Sequence, residues 1–421
     1  MAQITRERQV IDSKWVRSQF PSLALEQDGK PVVYLDNPAG TQVPRQCIDA
    51  ISRYLQEANS NVHGAFLTSR RTDAILDTAR ESMAAFLGAS SPREIAFGPN
   101  MTSLTFTLSR AIGRTLGPGD EVLVTELDHD ANVTPWLDLQ ERGVTVRRVP
   151  VHLTDCTLDM EALASMLNHR TRLVAVTYAS NAVGTVTDVR KIAEMAHSAG
   201  ALLWVDAVHY GPHGPIDVQE LDVDFLVCSS YKFFGPHLGI LYGKLALLDE
   251  LRPYQLRPAP HTAPEKFESG TKNHECLAGL VATLDYLAEL GRTGSGEPGA
   301  EPKRDSLRRA MNSIRDYEQG LSAAMLEGLQ SVPGLKVYGI TDTARLAERV
   351  PTFAFTIDGH ATEEIGAALG ASGIFAWTGN YYALDIMEKL GLEGRGGAVR
   401  VGAVHYNRVD EIERLVVALR R

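Results

Sequence analysis

The chain has 421 residues, 44% hydrophobic and 22% charged, with a formal net charge of −10. These are ordinary globular values and fit one large domain beside a smaller one. They argue against disorder and an extended nucleic-acid footprint, and no apolar run approaches the ~20 residues of a membrane helix.

The N-terminal stretch MAQITRERQVIDSKWVRSQF is amphipathic and mixed in charge, so no signal peptide is expected. Cys47, Cys156, Cys228 and Cys276 lack CxxC spacing. Neither a disulfide framework nor a zinc site follows, and the cytoplasm is the expected compartment. In chain order, strands are predicted at 94–97, 121–125, 145–149, 173–178, 201–206, 225–229 and 239–242. Helical patterns lie between several of them, at 160–167 and 189–198, the second stopped by Ala-Gly at 199–200.

Buried β-branched strands alternating with helices predict a mostly parallel seven-stranded sheet covered on both faces. Ligands of such sheets sit at the carboxyl ends of the strands. The stretch 291–303, GRTGSGEPGAEPK, reads as an exposed loop. A long helix at 306–329 follows, then strands near 336–338, 352–357 and 398–401 and a helix at 410–419. The fold class is therefore α/β. A large domain is expected at 31–290 and a smaller α+β domain at 304–421, with an N-terminal segment, 1–30, packing on the latter.

The run WVDAVHYGPHGPIDVQELDVDFLVCSSYKFFGPHLGILYGK, 204–244, carries the strongest chemical signal. One strand ends in Asp206, another in Ser229-Ser230-Tyr231-Lys232. Pyridoxal 5′-phosphate (PLP) needs this pair: an amine to form an imine and an acid to keep its ring nitrogen protonated. Taken singly, the lysine reads as a surface residue and the aspartate as a helix cap; the whole run supports the functional reading. His209 and His213 are four apart, but the Gly-Pro between them opposes a helix, so no metal is expected. GILYGK, 239–244, lacks the full Walker spacing.

This run resembles the cofactor-lysine region of class V aminotransferases, and within them the SufS-like cysteine desulfurase and selenocysteine lyase group. Further matching motifs follow in the same order. They are YLDNPAGTQVP (34–44), AFGPNMTSLTF (96–106), ELDHDANVTPW (126–136), TYASNAVGTV (177–186), FESGTKN (267–273) and VRVGAVHYN (399–407). The resemblance implies the PLP-dependent transferase fold type I. It implies that Lys232 is the imine-forming amine and later the base at Cα, and that Asp206 pairs with the ring nitrogen. His129 stacks on the ring, and His209 and Asn181 reach its phenolic oxygen, or in the case of Asn181 the substrate. By the same resemblance Met101, Thr102, Ser229 and Tyr231 are expected to hold the phosphate. Thr271 arrives from the second subunit of a homodimer, and Arg400 grips the substrate α-carboxylate.

One departure bears on the reaction. A cysteine desulfurase needs a thiolate in a small-domain loop resembling RTGHHCA. The matching stretch here, GIFAWTGNYYALD (373–385), puts Tyr382 in the place of the cysteine and Trp377 in that of the arginine. No cysteine follows Cys276. Trp377, Asn380, Tyr381 and Tyr382 are then expected to line the substrate end. The preferred expectation is β-elimination, a C–S lyase acting on an S-substituted cysteine or similar amino acid. An aminotransferase, an amino-acid epimerase, or an inactive PLP carrier or sulfur-transfer partner remain alternatives.

Overall fold

Short apolar runs that stay buried form the centre of the main sheet, and with the more exposed edge strand Thr145–Val149 it has seven strands. The computed structural model describes residues 11–293 and 302–420. The strands are β1 (Ile95–Gly98), β2 (Glu121–Thr125), β3 (Thr145–Val149), β4 (Thr171–Thr177), β5 (Leu202–Asp206), β6 (Phe225–Ser229) and β7 (Gly239–Gly243). Their order is β1-β7-β6-β5-β4-β2-β3. β6, β5, β4, β2 and β3 run parallel, while β7 is antiparallel to both its neighbours. The predicted strand at 173–178 is shifted: β4 starts at Thr171, and Tyr178 has left the sheet to stack on Tyr210 at 3.8 Å.

Fourteen α-helices among the described residues position the rest. Those used below are α1 (Ser13–Gln19), α2 (Arg45–Glu57), α3 (Leu67–Leu87), α4 (Met101–Gly113), α5 (Val189–Ser198), α6 (His274–Arg292), α7 (Lys303–Gln330) and α8 (Val409–Leu419). α5 shows how local sequence sets such an element. Asp188 caps it by accepting from Lys191 N at 3.1 Å, Ile192, Ala193 and Ala196 face the core, and Gly200 (φ 78°) ends it. The expected 291–303 loop is shorter than predicted: α6 runs through Arg292 and α7 starts at Lys303. Its centre, 294–301, lies outside the described residues.

The second sheet holds β8 (Leu335–Tyr338), β9 (Thr352–Ile357), β10 (Trp377–Gly379) and β11 (Ala398–Gly402), in the antiparallel order β8-β9-β11-β10. Leu321, Met325 and Leu329 of α7 and Leu415 of α8 pack on Phe353, Phe355, Val399 and Val401. Val33 and Leu35 join that same core, and Val33–Tyr34 pairs with Ile374–Phe375. These residues fall inside the range expected for the large domain, because a two-residue strand gives no periodic signal. Phe20, just after α1, packs edge-on against Phe234 and Tyr286 and also against His405, while Arg17 bonds Glu411 at 2.9 Å. The N-terminal segment thus touches both sheets' domains.

Candidate active site

The carboxyl ends of β4, β5 and β6 open into a cavity of about 440 Å³, within the ~300–1,000 Å³ of small-molecule sites. Parallel strands deliver their last residues to one edge, which brings Thr177, Asp206 and Ser229 together. Asp206 accepts from Val208 N at 2.8 Å, and burial pushes its carboxyl up to about 6. The turn Ser230–Lys232 then places Lys232 against the N-terminal turn, where Nζ donates to the Pro38 and Ala39 carbonyls, the latter at 2.9 Å. Burial and the Arg400 guanidinium lower the Lys232 amine to about 7, against the opposite pull of Asp36 and Asp206.

His129 caps the turn after β2. Its Nδ1 accepts from Ala131 N at 3.0 Å, which leaves the proton on Nε2, and burial lowers the ring to about 4. Behind it, Asp128 accepts from Asn132 Nδ2 at 2.8 Å and from Thr125, and burial pushes its carboxyl up to about 8. At the other end, Met101 N donates to Ser229 Oγ at 3.0 Å, at the first turn of α4. Asn100 caps that helix through Ser103 N at 2.8 Å. Gly239 of β7 lets the turn lie flat on the sheet, since a Cβ there would collide with the Asn100 backbone. A helix N-terminus with free N–H groups suits a phosphate.

Arg400 enters from β11 and is buried. Nη1 donates to the Asn181 carbonyl at 2.9 Å, Nη2 lies 3.7 Å from Asp36, and the guanidinium sits 4.2 Å over the Tyr381 ring. Arg400 Nε and Asn181 Oδ1 have no hydrogen-bond partner among the described residues. A buried fork with spare donors is the geometry a carboxylate requires. The mouth is aromatic, with Trp377 57% and Tyr382 72% exposed. Tyr382 stacks on His129 at 5.6 Å. Tyr381 and Tyr382 both hold left-handed backbones, φ 58° and 57°. Their carbonyls are tied to Asn181 Nδ2 at 2.9 Å and Asp130 N at 2.7 Å.

The cavity wall therefore gathers Met101, Thr102, His129, Asn181, Asp206, His209, Ser229, Tyr231 and Lys232 with Trp377, Asn380, Tyr381, Tyr382 and Arg400. Several have further duties. His209 Nε2 meets Thr352 Oγ1 at 2.9 Å, and His213 is drawn instead to Glu318 at 2.7 Å. Tyr231 stacks on His237, and the Tyr381 hydroxyl bonds the Ala398 carbonyl, so that ring supports Arg400 more than it faces a substrate. Thr271 is exposed and outside the cavity of a single chain. Asp36, with Pro38 and Ala39, went unassigned in the sequence, although its motif YLDNPAG stands out there. Asp128 was also missed; its signal was an acid directly before His129.

These groups fit PLP: Asp206 for the ring nitrogen, Lys232 for the aldehyde, the Met101 turn for the phosphate, and Arg400 for a substrate carboxylate. The family model for Aminotransferase class-V matches residues 33–301 and 306–415. A cysteine desulfurase of Serratia proteamaculans is 35% identical over 96% of this chain and 97% of its own. The aminotransferase-like protein FGM3 of Gibberella zeae is also 35% identical, over 96% of each chain. Among solved structures, the apo cysteine desulfurase of Thermococcus onnurineus matches with a TM-score of 0.85 at 26% identity, covering 98% of both chains. The cysteine desulfurase CsdA of Escherichia coli matches with a TM-score of 0.81 at 27% identity, covering 97% of this chain and 98% of its own. The chain belongs to the class-V aminotransferase family and is a PLP-dependent enzyme that acts on amino acids.

Proposed function

We propose that this enzyme catalyses β-elimination from an S-substituted cysteine or a similar amino acid, consuming water and releasing the thiol, pyruvate and ammonia. The observation that carries this is the makeup of the wall. None of the chain's four cysteines lines the cavity, and Tyr382 and Trp377 stand at its mouth. Cys228 lies buried in β6, where burial pushes its thiol far up. A persulfide route has no thiolate to use, whereas elimination needs none.

When bound, PLP supplies a sink for the electron pair left at the substrate Cα. Arg400 holds the α-carboxylate, which fixes the Cα–H bond toward Lys232. Lys232 would remove the Cα proton and hand it to the departing sulfur. Its amine, lowered to about 7, divides between both protonation states near neutrality. Asp206, at about 6, is ionised there and would hold the protonated ring nitrogen. Among the described residues Lys232 and Arg400 are the only cationic side chains on the wall, so a neutral, apolar sulfur substituent suits the aromatic mouth.

The same reading includes a homodimer in which Thr271 of a second copy completes the phosphate site. The segment is anchored for this: Glu268 accepts from Phe97 N at 2.9 Å and pairs with Arg80 and Lys272. It also includes the domain division at 31–290 and 304–421, and the cytoplasm, which suits four unpaired cysteines. No helix among the described residues is long and apolar enough to cross a membrane.

Incubating the PLP-loaded enzyme with S-benzyl-L-cysteine tests the reaction. Equal amounts of thiol and pyruvate, without a keto-acid co-substrate, are expected. Cα deuterium exchange without pyruvate would sink it in favour of epimerisation, and a keto-acid requirement would favour transamination. A protein that shows the cofactor absorbance but gives neither pyruvate, exchange nor transamination would be the inactive carrier.

A further inference from the structure

The turn after the short strand Val33–Tyr34 reaches both catalytic cations at once. The Asp36 carbonyl accepts from Ala39 N at 3.1 Å and Gly40 N at 3.3 Å, and this turn presents the Pro38 and Ala39 carbonyls to Lys232 Nζ. Asp36 also bridges in parallel to Gly402, at the end of the strand that carries Arg400. Its side chain is turned inward: Oδ1 is buried, lacks a hydrogen bond among the described residues, and lies 3.7 Å from Arg400 Nη2. At 3.7 Å the pair attracts without a hydrogen bond, which leaves guanidinium donors for an incoming group.

We propose that Asp36 is a positioning residue: a carboxylate shared by Arg400 and Lys232 that holds the guanidinium fork ready for the substrate carboxylate. Arg400 comes from the small sheet and Lys232 from the large one. A turn that puts its carboxylate beside Arg400 and its carbonyls on Lys232 therefore also ties the two domains' contributions together. Without it, Arg400 would lose the carboxylate beside it and Asp206 would be left as the acid acting on Lys232, a costlier arrangement for both cations.

Two consequences follow. Removing the carboxylate leaves Arg400 free to rotate, which weakens binding of any α-carboxylate. It also removes an anion that favours a proton on Lys232, a direction already visible in the pull of Asp36 on that amine. The other groups facing Lys232 are Asp206, Arg400, His129, His209 and Tyr231. Asp36 itself also faces Tyr34 and Tyr381. None of these changes in an Asp36 variant, so a shift in the lysine's titration reports on Asp36.

The proposal rests on Arg400 as the carboxylate site but not on which bond at Cβ breaks. The test uses PLP-loaded enzyme and L-alanine, which has no leaving group, read by visible absorbance. In Asp36→Asn the pH titration of the lysine-bound cofactor moves down by about one unit, and alanine binds about tenfold more weakly. Asp36→Glu restores most of both. An unmoved titration, or alanine binding that is unchanged or tighter, overturns the proposal. Should Asp36→Asn fail to take up cofactor, Asp36→Ser, smaller and also uncharged, serves the same two readouts. Arg400→Lys run alongside separates the two failures. Unaltered alanine binding there removes the carboxylate site itself, and this proposal with it.

Discussion

Asp206 and Ser229 end adjacent parallel strands of five residues each, nearly all fully buried, whereas Tyr381 and Tyr382 sit on a turn beyond a three-residue edge strand, both in left-handed backbone. On the floor, the register that pairs Asp206 with Val227 sets where the acid stands relative to Lys232, two turns of chain later. Changing that spacing would require slipping a strand, which reverses every side chain. At the mouth, a handful of hydrogen bonds hold the turn: Asp130 N to Tyr382, Asn181 to Tyr381, and Tyr381 to Ala398. The floor thus supplies chemistry that tolerates little change. In the proposed function the mouth selects what enters.

Three experiments probe the floor, in falling order of effect. Lys232→Ala is expected to lower kcat by about a thousandfold or more and to erase the absorbance of the lysine-bound cofactor. Retained absorbance would mean that another amine does the work. Arg400→Lys is expected to raise KM by about a hundredfold with a smaller loss in kcat, because one ammonium cannot replace a planar fork. The third is the pH profile of kcat. With Lys232 as the proposed base, kcat should rise about tenfold per unit below a midpoint of about 7 and then level off. A midpoint near the ordinary lysine value of 10.5 would show that the free amine is solvated during turnover.

The floor was legible in the sequence because its strands are continuous apolar runs with chemistry at their ends. Asp206, Ser229 and Lys232 are all within thirty residues of one another. Arg400 and the aromatic loop came from resemblance to known proteins rather than from pattern. Asp36 was hidden for a physical reason: its strand is two residues long and pairs with residues 374–375, more than three hundred positions away. Nothing periodic marks such a contact. The second duties of His209 and Tyr381 were equally invisible, since their partners Thr352 and Ala398 come from distant strands. The helices α2 and α3 were also not singled out, although their packing against α6 holds much of the core.

The smallest effect is expected from Tyr382→Gly, and it bears most directly on the contrast between floor and mouth. A non-glycine residue in left-handed backbone costs roughly 1–2 kcal/mol, which glycine removes. Against this stand the lost stacking of an exposed ring on His129, about 0.5 kcal/mol, and the greater freedom of glycine in the unfolded chain. The ring is 72% exposed, so little apolar burial is forfeited. These terms nearly cancel, and stability in chemical denaturation should stay within about 1 kcal/mol of the parent. KM for S-benzyl-L-cysteine should rise about threefold as an aromatic wall is lost, while that for S-methyl-L-cysteine should stay level. A loss beyond about 3 kcal/mol would instead make the turn part of the fold's support, like the strand ends below it. Equal changes in KM for both substrates would remove Tyr382 from selection and leave Trp377 as the aromatic wall to test.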